Sequence, residues 1–227
     1  MQRGGWIFSL IMSLELMLVN SCKKDAVKPQ PLSDMDGNVY HSVTIGTQEW
    51  MVENLRVTKF KDGMAISLAR ENTSWENLGT GSGYCWYNND EATYKNPYGA
   101  LYNWYAVSTG KLCPSGWHVP SSNEMKTLTT YLGGSNVAGI KLKESGAGHW
   151  LSSSNEGTNE SGFTAVPGGL RFGGGVYFLN GTDCWYWSTT DFTALSSVGL
   201  YITYNAGYAY TVEDYNNLGL SVRCVKD

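Results

Sequence analysis

One stretch limits the possible folds more than any other. Cys113 to Gly134 reads Cys-Pro-Ser-Gly-Trp-His-Val-Pro, then Ser-Ser-Asn-Glu-Met-Lys-Thr-Leu-Thr-Thr-Tyr-Leu-Gly-Gly. Ser121 stands three residues ahead of Glu124, so its hydroxyl can accept from the Glu124 amide while the carboxylate reaches back to the Ser121 amide. Met125, Leu128 and Leu132 then recur on one helical face, and Gly133 supplies the left-handed residue at which a helix ends. Trp117 and Val119 alternate with His118 like a short strand entering that helix.

Helices are predicted only in the middle of the chain. Pro97 is placed ahead of a second helix with Leu101, Trp104, Tyr105 and Ser108 on one face, and a third short helix covers Val137 to Lys143. Val39 to Val43 and Glu49 to Leu55 read as a β-hairpin turned at Gly46-Thr47. Beyond Gly146 short strands alternate with glycine-rich turns: Phe163 to Val166, Leu170 to Phe172, Val176 to Leu179, Cys184 to Ser188, Leu200 to Tyr204, Tyr208 to Val212 and Leu218 to Val225. Only 16% of residues are charged, which suits short strands and long ordered loops and excludes a helical bundle. The net charge of -4 gives no electrostatic reason to expect nucleic acid.

Residues 1–22 have the layout of an export signal: Arg3, a mostly apolar run from Trp6 to Val19, then Asn-Ser-Cys ending at Cys22. The run is shorter than the ~20 residues a spanning helix needs, and Glu15 interrupts it. Ser21 before Cys22 resembles a bacterial lipobox, which implies that Cys22 is lipidated and anchors the chain to a membrane. Residues 23–33 are polar, hold Pro29 and Pro31, and read as a tether, leaving 34–227 as one domain. The expected address is the cell envelope, as an outer-membrane lipoprotein that is periplasmic or surface-exposed.

Four further cysteines, Cys85, Cys113, Cys184 and Cys224, are an even number in a chain sent outside the reducing cytosol. Cys113 bonded to Cys224 would fasten the last strand beside the main helix. Cys85 and Cys184 are the remaining pair, with nothing local to bring them together.

Enzyme motifs are absent: no Gly-x-Ser-x-Gly elbow, no phosphate-binding Gly-x-x-x-x-Gly-Lys and no His-Glu-x-x-His occurs. His41, His118 and His149 read as structural. No cofactor and no metal is expected: the cysteine spacing is wrong for zinc, and the oxygen-rich loops Asn88 to Glu91 and Asn155 to Glu160 read as solvated. Between Asp183 and Asn217, in contrast, Tyr and Asn are dense, the chemistry of adaptable binding surfaces. Tyr186, Tyr201, Tyr204, Asn205, Tyr208 and Tyr210 are the candidate ligand-binding residues.

Many short motifs resemble one family. They include Asp36 to Tyr40, Ile45-Gly46 with Gln48 and Trp50, Glu53-Asn54-Leu55 and Tyr84 to Tyr87. Tyr98-Gly99, Leu101 to Trp104, Cys113 to Pro120, Ala138-Gly139 and Lys141 to Lys143 extend the match. Asn159, Ser161 to Phe163, Pro167 to Gly169, Arg171 and Ser221 to Val225 complete it. Together these resemble the Fibrobacter succinogenes major paralogous domain of Bacteroidetes-type lipoproteins. The resemblance implies an α+β, C-type-lectin-like fold: a small, twisted, mostly antiparallel sheet with two or three helices and long ordered loops. The residues themselves, rich in Tyr and Asn and without enzyme motifs, read as a binding domain without catalysis, whose ligand is a glycan or a protein partner. Alternatives the resemblance leaves open are a receptor-binding protein diversified by a retroelement, a structural adhesin component, and a modifying enzyme related to the formylglycine-generating branch of that fold.

Overall fold

The computed structural model describes Met1 and residues 32–227, Ser154 excepted; the export signal, Cys22 and the tether as far as Pro31 lie outside the described residues. The architecture is α+β with strand predominating. The helices are α1 (Asn72–Glu76), α2 (Glu91–Tyr98), α3 (Trp104–Val107), α4 (Ser122–Tyr131) and α5 (Ser135–Leu142). The expected reciprocal cap is present at α4: Glu124 N donates to Ser121 Oγ at 3.3 Å, and Ser121 N donates to Glu124 Oε2 at 2.7 Å. Met125, Leu128 and Leu132 are all buried.

Two sheets organise the rest. The terminal sheet has four antiparallel strands in the order Ser42–Ile45, Gln48–Met51, Val225–Lys226, Trp117–His118. Its first two strands make a hairpin at the expected Gly46-Thr47 turn, with Gly46 in the left-handed region at φ 62°, but the ladder is shorter than expected: Val39–Tyr40 pairs elsewhere and residues 52–55 are not strand. The outer sheet is an antiparallel meander of Asp183–Asp191, Ser196–Thr203 and Ala209–Tyr215. Smaller pairings surround them, including one between Leu32–Ser33 and Val39–Tyr40, so regular structure reaches two residues into the expected tether.

The described residues form five α-helices rather than the expected two or three, and three expected element positions also need correction. Pro97 lies inside α2, near its end, where Gly99 (φ 76°) stops the helix; Leu101–Tyr102 is a strand paired with Tyr84 and Cys85 rather than the start of a helix. Phe163 to Val166 and most of Leu218 to Val225 form no regular ladder among the described residues. In the first of these segments the carbonyls are taken by side chains: Arg223 donates to Phe163 O and Thr164 O, and Trp150 Nε1 donates to Ala165 O.

The core has two large parts. One gathers Met51, Leu55, Trp86, Tyr102, Trp187 and Leu220 around the terminal segments. The other packs Ile45, Trp50, Met125, Leu128 and Leu142 against the inner face of the outer sheet. Cys113 and Cys224 are disulfide-bonded across a separation of 111 residues, as expected. Cys85 and Cys184 are not: both are free and buried, in different apolar clusters.

Candidate binding surface

Alternation along the outer sheet decides which aromatics are presented. Cys184 and Tyr186 share one face of the first strand and pair with Ile202 and Leu200, all within the core beneath. Trp185 and Trp187 take the opposite face. Trp187 is covered by the other part of the core, whereas Trp185 is only partly buried. Register then aligns Trp185 with Tyr201 and Tyr201 with Tyr210 across three strands. The result is a continuous row: ring centroids are 4.8 Å apart for Trp185 and Tyr201, 6.2 Å for Tyr201 and Tyr208, and 4.5 Å for the stacked pair Tyr208 and Tyr210. The row is oriented by hydroxyls, Tyr201 donating to Asp183 Oδ1 at 2.7 Å and Tyr210 to Asn136 Oδ1 at 2.9 Å.

Of the six tyrosine and asparagine candidates, Tyr201, Tyr208 and Tyr210 belong to this row. Tyr186 does not: it is 1% exposed and packs edge-on against Phe163 in the core, so it cannot reach a ligand. Tyr204 is partly buried against the core beneath, and Asn205 is exposed at the adjoining turn with its side chain accepting from Thr203 Oγ1. Trp185, Asp183 and Asn136 were not anticipated. The parity of Trp185, opposite to that of Cys184 and Tyr186, is the signal that would have found it.

The turn that carries Tyr204 to Tyr208 is held from below by an unusual contact. Lys143, 1% exposed, points its ammonium at four backbone carbonyls: Asn155 O at 2.6 Å, Ala206 O at 3.0 Å, Thr203 O at 3.1 Å and Tyr204 O at 3.3 Å. Burial pushes this amine down to about 8, which leaves it protonated at neutral pH. Ser153 Oγ donates to Tyr204 O, and Asn155 Nδ2 to Asn205 O. Gly139 in α5 lets the turn come this close: a Cβ there would lie 2.1 Å from Tyr208 O.

Two arginines repeat the theme. Arg171 donates to Ala69 O, Arg70 O and Gly175 O, with Trp75 and Tyr177 rings 4.8 Å from its guanidinium carbon. Arg223 donates to Phe163 O, Thr164 O and Asn54 Oδ1, beside the Phe163 and Tyr186 rings.

Other reactive groups are committed elsewhere. His41 pairs with Glu53, His149 with Glu144, and His118 with both Glu124 and Asp227. Burial raises the Cys85 thiol to about 11 and the Cys184 thiol to about 12, far from thiolate chemistry. In the oxygen-rich loops, Asp90 caps α2 through Thr93, Glu91 pairs with Lys95, and Asn159 bonds Thr164. Among the described residues, no group of three or more His, Cys, Asp or Glu side chains could hold a metal ion.

What these features define is an α+β domain, mostly strand, stapled by one disulfide and carrying long loops fixed by buried cations. The chain belongs to the Fibrobacter succinogenes major domain family, whose model matches residues 43–226. Neither the curated proteins nor the solved structures compared with it contain a match.

Proposed function

We propose that this chain is a recognition protein of the cell envelope: exported, lipidated on Cys22, held in the outer membrane, and binding a glycan through the outer sheet without catalysing a reaction. The domain is C-type-lectin-like in this reading. Terminal strands brought together, helices packed outside and a small sheet bearing long loops support it. The absence of catalysis is supported by histidines tied to carboxylates and thiols sealed in the core.

The observation that carries the ligand assignment is the row Trp185, Tyr201, Tyr208 and Tyr210, partly exposed and fixed in orientation before any ligand arrives. Aromatic faces stack on the apolar face of a sugar ring, and hydroxyls and amides beside them supply hydrogen bonds. A glycan array probed with the purified chain tests this. Tyr210, 38% exposed, is the cleanest variant because its removal opens no core. Tyr210→Ala is expected to weaken binding by about ten-fold or more with an unchanged melting temperature. Binding that survives both Tyr210→Ala and Tyr208→Ala refutes the site. Cys22→Ser should move the protein from the membrane to the soluble fraction.

A further inference from the structure

A cleft of about 340 Å³ opens beyond the far end of the third outer strand, lined by Trp75, Glu76, Tyr105, Leu195, Tyr215 and Asn217 among others. Tyr215 is five residues from Tyr210, about 17 Å along an extended strand, and alternation turns it to the opposite face. The cleft is therefore separate from the aromatic row.

Its chemistry is uneven in an informative way. Trp75 is fixed as a wall: its Nε1 donates to Asn217 O at 2.9 Å, and the Arg171 guanidinium occupies one face of its ring. Leu195 and Tyr215 stand at the rim 67% and 68% exposed. The Asn103 side chain is engaged, accepting from Gly83 N and Ala106 N and donating to Gly81 O. The remaining polar groups are uncommitted. Among the described residues the Glu76 carboxylate has neither ion pair nor hydrogen bond, and neither do the Asn217 amide nor the Tyr105 and Tyr215 hydroxyls. Glu76 is the single charged residue lining the cleft, the Arg171 guanidinium lying behind the Trp75 ring, and Tyr105 and Tyr215 add aromatic lining.

We propose that this cleft binds a small organic ammonium ion, its charge beside Glu76 and its body against the Tyr105 and Tyr215 rings. A weakly hydrated cation gains from both terms at once: the carboxylate supplies charge, and the ring quadrupoles attract the same cation once water is displaced. A neutral ligand of equal shape gains only the apolar contact. An anion finds no cationic side chain in the lining. The ammonium group has two sources, an alkylated headgroup such as choline, which is the weakly hydrated case, or an amino sugar such as glucosamine, whose primary ammonium is more strongly hydrated but can donate to the Glu76 carboxylate.

The test is a titration of the full-length, ¹⁵N-labelled chain, following the Gly79 and Gly173 amides and the Asn217 side-chain amide. Choline is compared with its neutral carbon isostere dimethylbutanol, and glucosamine with glucose. At least one ammonium probe is expected to saturate these signals with a Kd of about 1 mM, about ten-fold tighter than its neutral counterpart. Whichever probe does so identifies the source. Glu76→Gln should erase that preference at an unchanged melting temperature, and Tyr215→Ala should weaken binding. Tyr210→Ala should leave it intact, which keeps this site distinguishable from the glycan surface. Equal binding of charged and neutral probes, no shift from either ammonium at about 100 mM, or a Glu76→Gln variant that still prefers the cation overturns the proposal.

Discussion

The terminal sheet and the outer sheet solve the same problem differently. Both must hold segments that are far apart in sequence. At the terminal sheet the strands meet edge to edge, Val225 pairing with both Trp50 and His118, and a covalent bond from Cys113 to Cys224 locks the join. Around the outer sheet the neighbouring segments are loops, whose carbonyls have no ladder to satisfy them. There the fasteners are buried cations without carboxylate partners: Lys143 on four carbonyls, Arg171 on three, and Arg223 on two carbonyls and one amide oxygen. A buried cation is tolerable when several acceptors and aromatic faces replace its water. Loop-rich packing supplies such acceptors in excess.

The largest effect should come from opening the covalent join. Cys113→Ala with Cys224→Ala removes a 111-residue closure, worth about 4–5 kcal/mol in the chain-entropy account. Denaturant unfolding measures it, and a loss under about 1 kcal/mol would mean that the paired strands hold the terminal sheet unaided. Next comes Lys143→Met, which keeps the length of the side chain and removes the ammonium from four carbonyls, of which Tyr204 O keeps the Ser153 hydroxyl. We expect a loss of about 2–4 kcal/mol, with faster hydrogen exchange concentrated at residues 203–208. A neutral or stabilised variant would show that apolar packing alone fixes those loops, and the contrast between the two sheets would disappear.

Much of the terminal sheet could be read in the sequence because its determinants are local or paired by type: the Ser121 and Glu124 cap, the Gly46 turn, the Met125, Leu128 and Leu132 stripe, and cysteines in an exported chain. The outer sheet was readable only in outline. A single step of parity separates the presented Trp185 from the buried Tyr186, and both are aromatic, so composition could not choose between them. The cation cages were less legible still. Asn54, Lys143, Arg171 and Arg223 all lie within motifs that carry the family resemblance, yet a lysine beside Leu142 or an arginine beside Val222 looks like surface charge until distant loops are folded over it. The contacts of Arg223 with Phe163 O and Asn54 span 60 and 169 residues.

Asp214 sharpens the contrast by its sign, because this anion, unlike Asp183 on the same sheet, is not met as the cations are. It shares a strand face with Tyr210 and Val212, and its Oδ2 is buried with no hydrogen-bond partner. Burial, with Glu213 beside it, raises its carboxyl to about 6. The unfolded chain releases this proton near pH 3.8, so native stability falls as pH rises from there to about 6 and is flat above. Asp214→Asn should therefore stabilise the protein at pH 7.5, by at most about 3 kcal/mol, and change little below pH 4. Thermal melts at the two pH values decide it; equal effects at both would mean that the carboxylate finds a partner in solution.

The smallest effect belongs to the terminal sheet and runs the other way with pH. His118 bridges the last residue to α4, its Nδ1 2.7 Å from Asp227 Oδ1 and its Nε2 2.9 Å from Glu124 Oε1. Partial burial lowers the affinity of the ring for its proton, but the bonds to Asp227 and Glu124 outweigh this and the net shift is upward from 6.5. Its stabilisation is thus complete below about pH 6.5 and is lost as pH climbs through the raised value. Glu124 is shifted down from 4.5, the bonds from Ser121 and His118 overcoming its burial, so its share is present above that point and is lost on acidification. Both are in force near pH 5.5. The ring is 40% exposed, and solvent screening holds the gain to that of a surface ion pair. His118→Gln should accordingly lower the melting temperature by no more than about 3 °C at pH 5.5 and by less at pH 9. A deficit that grows toward pH 9 would mean that the imidazole acts as a neutral hydrogen-bonding group, and the terminal sheet would then be fastened without any ionised contact at this corner.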